Sequence, residues 1–251
     1  MSFNQLLNGE CIEQMKNIGT GTVDMILADL PYGTTQCSWD NIIPFEPMWA
    51  EIERITTDNA AILLFAAAPF DKVLACSNLK LFRHEWIWEK PAATGFFNAK
   101  KMVLKAHENV LVFYKSLPTY NPQKTTGHKR KTSKKSLKQS ECYGKNFAIT
   151  NYDSTERYPR SVIKFSSDKQ HSNLHPTQKP VALCEYLIKT YSNKGDLVLD
   201  FCMGSGTSGV AAKNLQRDFI GIEQDDIYFG IAELRIAGSQ TGQMQLLEEM
   251  T

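Results

Sequence analysis

Long apolar runs are missing from this sequence. The longest, Ala60–Phe70, has eleven residues and contains Pro69, well short of the roughly 20 needed to cross a bilayer, so no membrane span is expected. Paired cysteines are missing too. The six, at positions 11, 37, 76, 142, 184 and 202, include no Cys-x-x-Cys. That spacing argues against a metal site or a disulfide framework and makes a reducing cytoplasm the default compartment. Residues Met1 to Gln5 carry no basic flank ahead of an apolar stretch, so no secretory leader is expected. No internal repeat is visible.

Acids are scarce in one stretch. Lys115–Lys145 holds nine Lys or Arg and a single acid, Glu141. It carries about +8 and leaves the rest of the chain near −7, although the net charge is only +1. A solvated loop explains such a block; so does contact with a phosphate backbone, and charge alone leaves both open. Over the whole chain the composition is that of a folded protein, 42% apolar and 22% charged. At 251 residues the chain suits one large α/β domain with an insertion.

The patterning predicts a doubly wound, mostly parallel α/β sheet with helices on both faces. Val23–Ala28, Ala60–Phe65, Glu85–Trp88 and Val110–Tyr114 read as buried strands. Phe45, Met48, Trp49, Ile52 and Ile55 fall at helical spacing behind Pro44. From Ser116 to about Leu174 periodicity nearly vanishes, apart from short pieces such as Ser161-Val162-Ile163-Lys164-Phe165, and this stretch reads as a polar insertion rather than sheet. Regularity returns with a helix carrying Leu183, Leu187, Ile188 and Tyr191 and a strand at Leu197–Phe201. A glycine turn, a helix to about Leu215 and a strand Phe219–Ile222 ending at Glu223 follow. Asp225 or Asp226 can cap the next helix. Beyond Ala237 the tail is polar.

Two places carry chemistry. Strand, glycine turn, helix, strand, acid is the order at 197–223. Gly204 and Gly206 allow a tight turn, the helix behind it offers free amides, and Glu223 can accept from both hydroxyls of a ribose. This favours a nucleoside-containing cofactor. Gly204, Gly206 and Gly209 also fit Gly-x-Gly-x-x-Gly, so NAD is the rival; against it, only 28 residues follow Glu223 and Asp29-Leu30-Pro31-Tyr32 is left without a role. That tetrapeptide ends an apolar strand, where open α/β sheets bind ligands. Taken alone it is equally a tight turn.

Together the two places resemble a family. Asp29-Leu30-Pro31-Tyr32 is similar to the (Asp/Asn/Ser)-Pro-Pro-(Tyr/Phe) motif of amino-methyltransferases, with Leu30 in place of the first proline. Asp200-Phe201-Cys202-Met203-Gly204-Ser205-Gly206-Thr207 resembles their S-adenosylmethionine loop. His175-Pro176-Thr177-Gln178-Lys179-Pro180 resembles the motif that precedes it in DNA methyltransferases acting on exocyclic amines. Catalytic motif, basic insertion, cofactor loop is the permuted order of the beta class, and the likeness spans about residues 4–236.

The resemblance implies a circularly permuted Rossmann-like methyltransferase domain. Residues 1–115 would form its catalytic half, 116–174 an inserted target-recognition region and 175–236 its cofactor half, with 237–251 a tail. It implies S-adenosylmethionine as cofactor, double-stranded DNA as partner and adenine N6 as the methylated amine. The Asp29 carboxylate and Leu30 carbonyl would accept from the amine, Pro31 would stiffen the turn, and Tyr32 would stack on an extruded base. Glu10, Cys11, Asp29, His175, Thr177, Lys179, Asp200, Phe201, Gly204, Ser205, Gly206, Thr207 and Glu223 are the expected cofactor contacts. For Glu10 a plain surface acid, for Lys179 a solvated lysine and for His175 loop packing stay open as alternatives. Lys124, Lys129, Arg130, Lys131, Lys134, Lys135 and Lys138 are the expected DNA contacts.

An acid at position 29 favours adenine N6 over cytosine N4, which remains the alternative. The same chemistry on RNA or a protein amide, an NAD-dependent oxidoreductase and a noncatalytic DNA-binding module are the other readings. The oligomeric state, monomer or homodimer, is left open.

Overall fold

Val23–Asp29 is buried on both faces, which is why it reads as an unbroken apolar run. Met25 and Leu27 pack into one core, and Ile26 and Ala28 into the other. Alternate residues of a strand point to opposite faces, so only a central strand covered by helices on both sides can bury them all. The computed structural model describes residues 4–33, 40–135, 150–166 and 178–238.

The elements in chain order are β1 (Asn4–Asn8), α1 (Cys11–Met15), β2 (Val23–Asp29), α2 (Phe45–Ile55), β3 (Thr56–Ala66) and α3 (Phe70–Ser77). Then come β4 (Phe82–Thr94), a short 3-10 turn (Phe96–Asn98), β5 (Lys105–Phe113), β6 (Lys131–Lys135), β7 (Thr150–Ser154) and β8 (Val162–Lys164). Last are α4 (Val181–Tyr191), β9 (Leu197–Asp200), α5 (Thr207–Asn214), β10 (Asp218–Glu223) and α6 (Asp226–Gly238).

Eight strands form one sheet in the order β1-β10-β9-β2-β3-β5-β4-β8. Within it only β5 runs against the rest. One core holds residues of α1, α2 and α3, and the other residues of α4, α5 and α6. This is the doubly wound α/β architecture expected. The α2 stripe of Met48, Trp49, Ile52 and Ile55 is buried as its spacing requires, and full burial of each such side chain contributes roughly 1.5–3 kcal/mol. Asp225 is the cap of α6: its carboxylate accepts from the amides of Ile227 and Tyr228 at 2.9 and 3.0 Å. No helix among the described residues is long and apolar enough to cross a membrane.

The chain divides into two compact units, one of residues 1–121 and 161–251, the other of 122–160. The sequence pattern missed strands in its polar middle. Val162–Lys164 joins the large sheet as an edge strand parallel to β4, and Trp88 Nε1 donates to the Phe165 carbonyl at 3.1 Å. In the smaller unit β6 and β7 pair antiparallel, Lys131 opposite Ser154 and Ser133 opposite Tyr152. Lys-Thr-Ser-Lys-Lys and Thr-Asn-Tyr-Asp-Ser carry almost no apolar residue, so alternation had nothing to report. The ribbon is held by backbone hydrogen bonds and by surface pairs such as Arg130 with Asp153, at 2.6 and 2.7 Å.

Candidate active site

β9 and β2 are neighbours, yet their onward connections leave in opposite directions, β9 through α5 to β10 and β2 through α2 to β3. A crevice opens at such a switch point, beyond the carboxyl ends of the strands. Asp29, Asp200 and Glu223 are the last residues of β2, β9 and β10. Asp29–Tyr32 and Asp200–Ser205 therefore line one cavity of about 360 Å³, together with Glu223. Residues 170 positions apart in the chain meet there because parallel strands end on the same edge.

Asp29 sits in a neutral cluster of two carboxylates and two lysines. Lys179 Nζ donates to Asp29 Oδ2 at 2.5 Å and lies 3.4 Å from Glu108 Oε2. Glu108 is also paired with Lys90. Tyr32 donates its hydroxyl to Asp29 Oδ1 at 2.9 Å and stacks on Phe70, ring centroids 5.2 Å apart. Burial pushes the Asp29 carboxyl up, while the Lys179 charge pulls it back. Burial works against the Lys179 charge, but Asp29 and Glu108 outweigh it and hold the ammonium above its ordinary value. Glu108, although buried, is held below its ordinary value by Lys179 and Lys90. Burial, then the Asp29 charge, keeps the Tyr32 phenol protonated and thus a donor. Asp40 Oδ1 accepts from the amides of Tyr32 and Gly33 at 2.7 and 2.8 Å, which fixes the turn after Pro31. Leu30 is buried in the core.

The glycine turn is braced from behind. Gly204 and Gly206 have φ of 51° and 78°, the left-handed region that favours glycine. A Cβ on Gly206 would lie 2.9 Å from that of Ala232 in α6. Glu223 Oε2 accepts from the Gly204 amide at 2.8 Å and Oε1 from the Asp225 amide at 2.9 Å, so one carboxylate ties the turn to the start of α6. Arg235, buried, donates to Ser205 O and Oγ at 2.5 and 2.8 Å and to Thr207 Oγ1 at 3.4 Å. Ser205 and Thr207 are thereby partly committed to the scaffold. Phe201 is buried and forms part of the cavity wall.

Asp200 Oδ1 accepts from the Cys202 amide at 3.0 Å, and Oδ2 accepts from the Ser208 hydroxyl. Burial, only partly offset by those donors, pushes its carboxyl from 3.8 up to about 7. The folded state therefore holds this proton more tightly than the unfolded chain. Stability should fall as pH rises from 3.8 to about 7. Thermal melts of Asp200→Asn across that range should fall less steeply than those of the wild type; parallel curves would remove Asp200 as the cause.

At the other edge, β1 pairs with β10, and the Gly9 amide donates to the Glu223 carbonyl at 2.9 Å. This brings Glu10 and Cys11 to the cavity. Glu10 Oε2 accepts from the Glu13 amide at 2.9 Å, and Cys11 Sγ lies 3.3 Å from Glu10 Oε1. Lys179 is neither solvated nor apart from the catalytic motif, since only 9% of its side chain is exposed. His175 and Thr177 lie outside the described residues, as does Lys138; of Lys134 and Lys135 only the backbone is described. Lys124, Lys129, Arg130 and Lys131 are exposed in the smaller unit, Lys124 beside Glu156 at 3.0 Å.

Sequence reasoning missed Glu108, Lys90, Asp40 and Arg235, and it gave no role to Gln178 within the 175–180 motif. Glu108 left a signal, an acid at the mouth of the apolar run Val110–Phe113. Lys90 and Arg235 left none, because their partners, Glu108 and Ser205, are 18 and 30 positions away in the chain, and Asp40 lies outside the motif whose turn it fixes.

The cavity also meets a chemical test for a nucleoside cofactor bearing an ammonium group. Its volume falls within the usual range of small-molecule sites, and its wall carries the carboxylates of Glu10 and Glu223. Gln178 lines it with a buried Oε1 that has no hydrogen-bond partner among the described residues, an acceptor suited to a ligand amine or hydroxyl.

Comparison with known proteins agrees with this fold. The M1.HpyAVI–SAM complex superposes with a TM-score of 0.63 at 24% identity, covering 93% of this chain and 98% of that one. PvuII DNA methyltransferase, cytosine-N4-specific, gives 0.68 at 14% identity over 94% and 86%. Fold and crevice together define a Rossmann-like methyltransferase domain. The N6/N4 methyltransferase family model, described as a DNA methylase, matches residues 23–234. The chain belongs to that family, the DNA amino-methyltransferases. Type II methyltransferase M1.MboII of Moraxella bovis is 27% identical over 253 residues, 91% of this chain and 94% of that protein. M.HinfI of Haemophilus influenzae is 29% identical over 93% and 68%.

Proposed function

We propose that this DNA amino-methyltransferase acts on the N6 amine of adenine in double-stranded DNA, with S-adenosylmethionine as methyl donor. The observation that carries the proposal is the Asp29 carboxylate, held by Lys179 and Tyr32 in the same cavity as Glu223. When bound, the cofactor supplies an activated methyl group on a sulfonium. Glu223 and Glu10 would hold its hydroxyls and adenine edge, Phe201 and the 204–206 backbone would line its pocket, and Gln178 would accept from one of its donors.

The remaining work falls to the motif at 29–32. An exocyclic amine is a poor nucleophile because its lone pair is delocalised into the ring. Asp29 and the Leu30 carbonyl accept its two hydrogens, which holds the nitrogen in place and returns the lone pair to it. Each Asp29 oxygen keeps a second lone-pair direction beside its Lys179 or Tyr32 partner. The proton shed by the methylated amine passes to Asp29, whose burial raises its proton affinity. Tyr32, clamped to Phe70 and Asp29, offers a rigid edge to an extruded base.

The smaller unit, 122–160, is the core of the proposed 116–174 recognition region. Lys129 and Lys131 are exposed there and have no acid partner among the described residues. Replacing both with Ala should flatten the salt dependence of DNA binding by roughly 0.9 in log–log slope per lost phosphate contact. An unchanged slope would remove them from the interface.

The function is tested by incubating unmethylated DNA with labelled cofactor, digesting it to nucleosides and separating them. N6-methyldeoxyadenosine is expected. N4-methyldeoxycytidine would move the assignment to cytosine, and no label in DNA, with label entering RNA or protein in parallel incubations, would overturn it.

A further inference from the structure

Beyond Lys90, the hairpin joining β4 to β5 lines no part of the cavity, yet its composition is unusual for a surface turn. Residues 90–107 contain four lysines, Lys90, Lys100, Lys101 and Lys105, and no Asp or Glu. At its tip Phe97 is fully exposed (103%), with Phe96 at 80% and Val103 at 88%; Met102 is exposed as well. Apolar patches of this kind mark interaction sites. The tip is also a built turn: Gly95 adopts φ 89°, and the amides of Asn98, Ala99 and Lys101 donate to Gly95, Phe96 and Asn98 at 2.8–3.0 Å. The two phenylalanines are thus presented by a defined turn.

Placement says what they face. β4 runs parallel to β2, so the hairpin leaves the sheet at the edge where Asp29 ends its strand. Its stem begins at the site itself, because Glu108, opposite Trp88 in register, touches the cavity and the Lys179–Asp29 pair. Past that pair β4 continues to Thr94 and β5 back to Lys105, which carries the tip roughly 10–20 Å beyond it at about 3.3 Å per extended residue.

Resting on the adenine-methylation reading above, we infer that this hairpin is a wedge. Phe97, with Phe96 beside it, enters the base stack where the target base leaves, and Lys100, Lys101 and Lys105 hold the flanking phosphates. Apolar wedges inserted between base steps and aromatic faces that replace a lost stacking partner are both established ways to offset the cost of unstacking. A second copy of the chain is the poorer occupant. A two-fold contact pairs a patch with itself, and here it would set lysines against lysines, whereas DNA complements them.

The test uses the whole protein with Phe96→Ala/Phe97→Ala, on a perfect duplex and on one whose target base faces a mismatch. An unpaired base costs less to extrude. Losing an aromatic stacking partner should slow turnover on the perfect duplex by about tenfold or more. On the mismatched duplex the rate should return to about the wild-type level, with cofactor affinity and melting temperature unchanged throughout. Equal rates for variant and wild type on both duplexes would overturn the wedge. So would an equal loss on both duplexes with a shift from dimer to monomer in sedimentation, which would assign the tip to a second copy. If the wild type forms no methyladenine at all, the parent reading has failed, and the variant is not what revealed it.

Discussion

Asp29→Ala is expected to lower methyl transfer by about a thousandfold or more while DNA and cofactor still bind. Removing a single preorganised hydrogen-bonding group at a reacting centre commonly costs about 10²–10³ in rate, and here the group lost is also the acceptor of the departing proton. A structural cost comes with it. Lys179, buried and paired at 2.5 Å, would keep Glu108 at 3.4 Å as its one carboxylate among the described residues, beside the rings of Tyr32 and Phe65, and a buried charge stripped of its partner is strongly destabilising. The two effects separate in Asp29→Ala/Lys179→Met. Its melting temperature should recover toward the wild type, and its turnover should not. Single-turnover assays with labelled cofactor, beside gel shifts, read both. Turnover retained by Asp29→Ala would end the role assigned to this carboxylate.

Glu223→Ala should weaken cofactor binding by about 10- to 100-fold, in line with roughly 1.5–3 kcal/mol for a hydrogen bond to a charged group. DNA affinity without cofactor should be nearly unchanged. The loss exceeds that of a simple ribose contact because Glu223 also anchors the amides of Gly204 and Asp225. With the carboxylate gone, the turn at 204–206 and the entry to α6 lose their common tether. Glu223→Gln should be milder, since it keeps one acceptor. Calorimetric titration with cofactor, and separately with duplex, checks this; a larger loss on DNA than on cofactor would take Glu223 out of the pocket.

Much of this site was legible from spacing. Strand, glycine turn, helix, strand and acid at 197–223 is a local order, and each part follows from residues a few positions apart. The buried run at 23–28 likewise announces a central strand. What spacing could not report is pairing across the molecule. Lys179 read as a cofactor contact or a solvated lysine; it bonds to Asp29 because α4 starts at the carboxyl edge of the sheet. Glu108 and Lys90 became its neighbours through the antiparallel register of β4 and β5. The β6–β7 ribbon was illegible for another reason: it buries no apolar face, so it leaves no period.

By itself the sequence determined the alternation of strands and helices, the two motifs and the segregation of charge. Those properties depend on neighbours in the chain, on the two- and 3.6-residue repeats of buried side chains and on turn chemistry. Only the tertiary structure decided that the motifs share one cavity, that a lysine from α4 neutralises the carboxylate at the end of β2, and that an aromatic hairpin stands at the same edge. Strand order and register fix distances between residues far apart in the chain, and no local period encodes them.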